Sequence, residues 1–206
     1  CGNSWKDGVD SSNIKNNRLR CSLLLEDNDN QLLIDCGPDF RQQSIRHNLK
    51  NFNDIFYTHW HADHIFGTWE LDEYTEFYKK HLNLWADGKT LKVLNDKFDY
   101  LLYDKDRFTL KEIQPFQKFN IANMKDIIPL KFIHGNLYSY GLKYKNIVIS
   151  GDLEYIPPIN NQYLENLDLW VMECNNIEYK DNGGHTYLEQ ALKKIEQFKP
   201  KKAILT

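Results

Sequence analysis

Apolar residues in the first part of the chain come in short runs divided by polar breaks, and the spacing of those breaks sets out the elements. Residues 22–26 (SLLLE) and 31–36 (QLLIDC) read as two strands. The polar turn Asp27-Asn28-Asp29-Asn30 joins them as a hairpin. Gly37-Pro38 breaks the second strand, and Asp39 with Gln42 has the N-cap spacing that opens a helix through about Leu49. Residues 54–58 form a strand of the buried type. From about Ala62 to Leu84 the apolar spacing is helical, with a break near Gly67. The aromatics Trp69, Tyr74, Phe77, Tyr78 and Trp85 either make a core stripe on it or line a cleft, and packing is the reading preferred. Residues 90–94, 127–133, 137–144, 146–150 and 167–173 read as further strands. Thr186 and Glu189 have capping-box spacing ahead of a helix striped by Leu188, Ala191, Leu192, Ile195 and Phe198. Pro200 stops that helix before a last apolar run at 203–206. Strands first, then strands mixed with helices, predict a mixed α/β chain with sheets covered by helices.

Composition narrows this picture modestly. With 206 residues and 41% hydrophobic positions, a single globular domain over 1–206 is expected. A net charge of −3 argues against a surface built throughout to grip nucleic acid, while leaving room for a local basic patch. No window approaches the ~18–20 apolar residues of a membrane helix, and no secretory pattern opens the chain, so a cytoplasmic protein is expected. The four cysteines Cys1, Cys21, Cys36 and Cys174 are scattered without a C-x-x-C pair, which predicts reduced, mostly buried thiols. Both ends look cut: there is no initiator Met, and Ala203-Ile204-Leu205-Thr206 is an apolar strand-like run.

One turn changes the picture. Residues 57–67 read YTHWHADHIFG, placing three of the chain's seven histidines and an aspartate within six positions at the end of a predicted strand. In extended chain, residues two apart point the same way, so His59 and His61 can converge on one ion. Asp63 and His64, entering a helix, can aim at a neighbouring position. Imidazole nitrogens with a carboxylate suit zinc, manganese or iron. Three histidines in a polar loop by chance is the competing account, and the H-x-H-x-D-H pattern is too specific for it.

Thr58-His59-Trp60-His61-Ala62-Asp63-His64 resembles the signature of the metallo-β-lactamase superfamily. Leu33-Ile34-Asp35-Cys36-Gly37, Ile133-His134-Gly135 and Ile149-Ser150-Gly151-Asp152 resemble its other strand-end segments. Residues 16–22 and 35–43 are similar to a branch containing the cyclic-phosphate phosphodiesterase of phosphonate breakdown, related to the tRNA 3′-processing nucleases. Cys1-Gly2-Asn3-Ser4 looks like the end of that branch's first strand, which displaces a lipoprotein reading of Cys1. The branch has a Gly-Val-Pro segment where Trp5 follows here.

The resemblance implies an αββα sandwich, expected to be truncated at its C-terminus, because the family's last metal histidine follows a strand like 203–206. It implies two divalent ions: His59, His61 and His134 on the first, Asp63 and His64 on the second, Asp152 bridging. Asp63 thus belongs to both the ligand set and the catalytic set. His185 is similar to a histidine that contacts the substrate phosphate and protonates the leaving oxygen. Asp35 resembles a carboxylate that orients a ligand histidine through its other ring nitrogen. His47 and His81 read as surface residues on helices, and Arg18, Arg20 and Arg41 either hold phosphate or are solvated. The activity implied is a metal-dependent hydrolase acting on a small cyclic or nucleotide-like phosphodiester. An ester, lactone or thioester hydrolase and a non-catalytic metal-binding module remain open. Nucleic acid is a less favoured partner, a membrane is not expected, and a homodimer is left open.

Overall fold

A computed structural model describes residues 10, 12–178 and 184–206, so Cys1-Gly2-Asn3-Ser4, Trp5, Asn182 and Gly183 lie outside the described residues. The chain divides into two compact units, residues 1–85 with 89–111, and residues 86–88 with 112–206. The first is built on a five-stranded sheet in the order β1-β2-β3-β4-β5, the second on a six-stranded sheet in the order β11-β10-β9-β8-β7-β6.

In the first unit β1 (Leu23–Asp27) and β2 (Asn30–Ile34) form the expected hairpin, in register from Leu23↔Ile34 to Asp27↔Asn30. Asn28 takes the tight turn at φ 55°, a conformation that Asn tolerates. β3 (Asp54–Phe56) runs parallel to β2, and β4 (Leu82–Ala86) runs parallel to β3. Parallel neighbours need a crossover, and α1 (Phe40–His47) and α3 (Leu71–Tyr78) supply the two. Phe40 from α1, Tyr74 from α3 and Phe52 pack together, with the Phe52 and Tyr74 rings stacked at 4.5 Å.

Three readings of this unit need correction. Residues 82–86 are a strand and not the end of a helix: their burial alternates with period two, and Trp85, which continued the aromatic stripe, lies on the half-buried side. Residues 90–94 are not a strand but the start of α4 (Gly88–Leu102), where Thr90, Leu94, Phe98 and Leu101 bury one helical face. Asp39 does precede α1, yet its carboxylate makes no cap bond. It accepts instead from the Arg20 backbone N–H and guanidinium, each at 2.8 Å, so Arg20, with 38% of its side chain exposed, is a tether at the surface. The aromatic stripe itself divides, with Tyr74 buried and Trp69 and Phe77 exposed. His47 ends α1 exposed as expected. His81 sits outside any helix, against the Asp106 carbonyl and the Thr109 hydroxyl.

In the second unit β7 (Met124–His134) and β8 (Leu137–Tyr144) form a long hairpin whose final pair is His134↔Leu137, turned at Gly135 with φ 56°. β9 (Ile147–Ile149), β10 (Leu169–Met172) and β11 (Ala203–Leu205) follow in parallel. The short strands β5 (Phe108–Glu112) of the five-stranded sheet and β6 (Phe119–Ile121) of the six-stranded one had no reading in the sequence. α5 (Leu188–Phe198) covers a core containing Leu130, Phe132, Trp170, Met172 and Ala191. Its stripe is narrower than expected, since Leu192 is exposed. The cap is shifted by one residue: Gln190 accepts from the Tyr187 N–H at 3.3 Å, while the Thr186 hydroxyl bonds the Leu153 carbonyl.

Candidate metal centre

The first unit gathers His59, His61, Asp63, His64 and Asp35. β3 delivers the chain to Thr58 and His59, and α2 (Ala62–Ile65) begins just past His61, which is still extended at ψ 150°. The ring of His59 lies 4.6 Å from that of His61 and 4.2 Å from that of His64. The His64 Nε2 is 3.7 Å from an Asp63 carboxylate oxygen.

Hydrogen bonds decide which imidazole nitrogen faces outward. Asp35 Oδ2 accepts from His64 Nδ1 at 2.6 Å and from the Thr58 hydroxyl at 2.8 Å. Asp35 Oδ1 accepts from the Thr58 backbone N–H at 2.7 Å. A hydroxyl has one proton, and Thr58 gives it to the carboxylate. Its oxygen, 3.0 Å from His59 Nδ1, therefore accepts from that ring nitrogen. Both imidazoles thus carry a proton on Nδ1 and turn Nε2 outward, the nitrogen whose lone pair a metal would take. Asp35 reaches this position through a left-handed backbone, φ 61°.

Two glycines lock the turn beneath. A Cβ on Gly67 would stand 2.0 Å from the Gly37 carbonyl oxygen, and one on Gly37 would stand 2.1 Å from the Asp63 carbonyl oxygen. Bare backbone therefore packs on bare backbone, joined by bonds from Gly67 N–H to Cys36 O at 2.8 Å and from Cys36 N–H to His64 O at 2.9 Å. Burial pushes the Cys36 thiol well above its ordinary pKa, so it stays protonated.

The second unit gathers His134, Asp152 and His185, each offering a donor atom within 4.8 Å of the others. His134 ends β7 buried, and its Nδ1 donates to the Gly184 carbonyl at 2.8 Å, because a carbonyl can only accept. Its Nε2 lone pair is thereby presented 4.0 Å from Asp152 Oδ2. Gly184, at φ 101°, is needed there: a Cβ would stand 2.0 Å from the Gly135 nitrogen. His185 Nδ1 bonds Glu173 Oε1, and Glu173 Oε2 accepts the Leu153 N–H at 2.6 Å. Glu173 is buried, and burial raises its pKa to about 6 against the opposing bond from His185. The sequence reading did not single out Glu173, a carboxylate directly after the buried strand β10. Arg18 donates to the Lys15 carbonyl at 3.4 Å, and Arg20 is engaged with Asp39.

A model of the beta-lactamase superfamily domain matches residues 30–206. The crystal structure of a diphosphatase from the PhnP family is similar at 27% identity and a TM-score of 0.86, over 97% of this chain and 79% of that one. The metallo-β-lactamase fold protein YhfI from Bacillus subtilis has a TM-score of 0.78 at 21% identity, over 92% of this chain and 78% of that one. Human tRNase Z, short form, has a TM-score of 0.73 at 18% identity, over 91% and 85%. The last two show the fold alone. Among curated sequences, an octanoyltransferase of Porphyromonas gingivalis is 29% identical over 91% of the chain, which spans 39% of that protein's length. The described residues contain no helix long and apolar enough to cross a membrane. The chain belongs to the metallo-β-lactamase superfamily, and that membership together with the donor set supports a metal-dependent hydrolase.

Proposed function

We propose that this chain is a phosphodiesterase acting on a small cyclic or nucleotide-like phosphodiester. It uses two divalent ions, with His59, His61, Asp63, His64, His134 and Asp152 as ligands. The observation that carries the reading is the shared tautomer: Asp35, Thr58 and the Gly184 carbonyl hold three separate imidazoles with Nε2 as acceptor. Buried imidazoles of one orientation, beside carboxylates, are the donor set that zinc, manganese and iron prefer. The likeness to the diphosphatase supports phosphorus as the centre attacked.

Divalent ions bound by such residues supply Lewis acidity and activate water near neutral pH. The rest is done by the chain. Asp63, half exposed at 39% of its side chain, is open to incoming solvent. His185, with Nδ1 held by buried Glu173, presents Nε2 to protonate the departing oxygen. Glu173 thereby positions His185 and keeps it from turning.

The test is metal analysis beside a substrate screen. Two ions per chain are expected, falling in His61→Ala, with hydrolysis of bis-p-nitrophenyl phosphate. A second reading, a thioester or ester hydrolase, draws on the likeness to part of the octanoyltransferase. Turnover of a thioester or lactone without turnover of the diester would replace the first reading by the second.

A further inference from the structure

The segment following Asp63 carries a pattern that metal binding does not use. Across residues 63–71 every third side chain is turned to solvent. The Asp63 side chain is 39% exposed, Phe66 43% and Trp69 51%, whereas Ile65, Thr68 and Leu71 are buried. The backbone explains the period. Phe66 and Gly67 continue α2 with ψ near zero, at 0° and −5°, and Thr68–Glu70 form a 3-10 turn, in which residues three apart eclipse. Asp63, Phe66 and Trp69 therefore lie in one row along one side of the segment. The Phe66 ring is braced edge-on by Phe98 of α4 at 6.2 Å. Beneath the row, Thr68 is fixed by its hydroxyl to Tyr57 and to the Ile65 carbonyl, and Gly67 sits directly on the Gly37 carbonyl.

A surface loop usually turns such rings inward or replaces them with polar residues, because two adjacent exposed aromatics gain nothing from water. Here the buried partners on the same backbone keep them out, at a fixed offset from Asp63. We propose that Phe66 and Trp69 form a flat apolar wall that receives a planar aromatic group of the substrate, a nucleobase of a nucleotide-like diester. This rests on the phosphodiesterase reading, in which Asp63 holds one of the ions. A base stacks on aromatic faces whatever its identity, so the wall selects for nucleotides without selecting a sequence. Rigid rings on a locked backbone lose little entropy on binding, which suits a preformed subsite.

Calorimetric titration of the metal-loaded protein with thymidine 5′-monophosphate and, separately, with inorganic phosphate tests this. The nucleotide should bind about tenfold tighter than phosphate, the size of one stacking contact. In Trp69→Ala, and independently in Phe66→Leu, that preference should collapse, with circular dichroism unchanged. A nucleotide binding no tighter than phosphate in the parent protein, or an equal preference in parent and variants, overturns the wall. Tight, wall-dependent nucleotide binding without hydrolysis of thymidine 5′-p-nitrophenyl phosphate leaves the wall standing and removes the phosphodiesterase reading.

Discussion

The two units gather their donor groups in different ways. In the first, three histidines and an aspartate follow one another within six residues, and one buried carboxylate, Asp35, sets the protonation of both His59 and His64. In the second, His134, Asp152 and His185 come from distant points of the chain, and each imidazole has its own keeper: the Gly184 carbonyl for His134, Glu173 for His185. A contiguous set can share one support; a dispersed set cannot. The first arrangement is economical and fails together, while the second fails one residue at a time.

The largest effect should come from the glycine contact under the histidine turn. Gly67→Ala places a methyl 2.0 Å from a carbonyl oxygen that belongs to backbone and cannot swing away. A loss of about 3 kcal/mol or more is expected in urea unfolding. A Gly67→Ala protein with the parent midpoint would show that this turn is looser than described.

Next is the shared support. Asp35→Asn keeps a residue that tolerates the left-handed backbone but turns two acceptors into one. Divalent-metal affinity at the turn should drop roughly 10–100-fold in a chelator competition. Nitrogen-15 spectra of labelled histidine should show both His59 and His64 changing tautomer, with His134 unchanged. A change at His64 alone would break the idea that Thr58 relays the carboxylate to His59.

The matching substitution in the second unit should be narrower. In Glu173→Gln, His185 loses its charged keeper while Gly184 still holds His134, so metal content should persist and kcat should fall roughly 100-fold. Loss of metal instead would assign His185 to the ligand set. The smallest effect is at the thiols. Among the described cysteines Cys21 is exposed, Cys174 half-buried and Cys36 buried, so maleimide should label Cys21 before Cys174 and leave Cys36 untouched until urea unfolds the chain. Early labelling of Cys36 would contradict the tight packing next to Gly37.

The same contrast governs what could be read from the sequence. The histidine turn was legible because its residues are neighbours and their spacing has a geometric meaning on a strand end entering a helix. His134, Asp152 and His185 carried no such local sign and were reached through resemblance to a family, and Glu173 was not reached at all. The errors in the fold have an equally local origin. Trp85 was assigned to a helix because it prolonged a run of aromatics that starts at Trp69, although the alternation Leu82, Leu84, Ala86 was present beneath it. Residues 90–94 include Thr90 and Val93, which favour strands, and only the burial of Leu94, Phe98 and Leu101 on one face shows why packing wins. Asp39 had the chemistry of a cap and a stronger partner in Arg20.

The backbone seam between Gly37 and Gly67 bears on time as well as on strength. Because the amides of Cys36 and Gly67 are bonded within it, they should exchange with heavy water as slowly as those of the central strands, and the turn has no local route to fraying. Ions seated at His59 and His64 would then depart by single imidazoles letting go in sequence, not by the loop swinging open, and their residence would be set by those bonds and not by the unfolding barrier of the first unit.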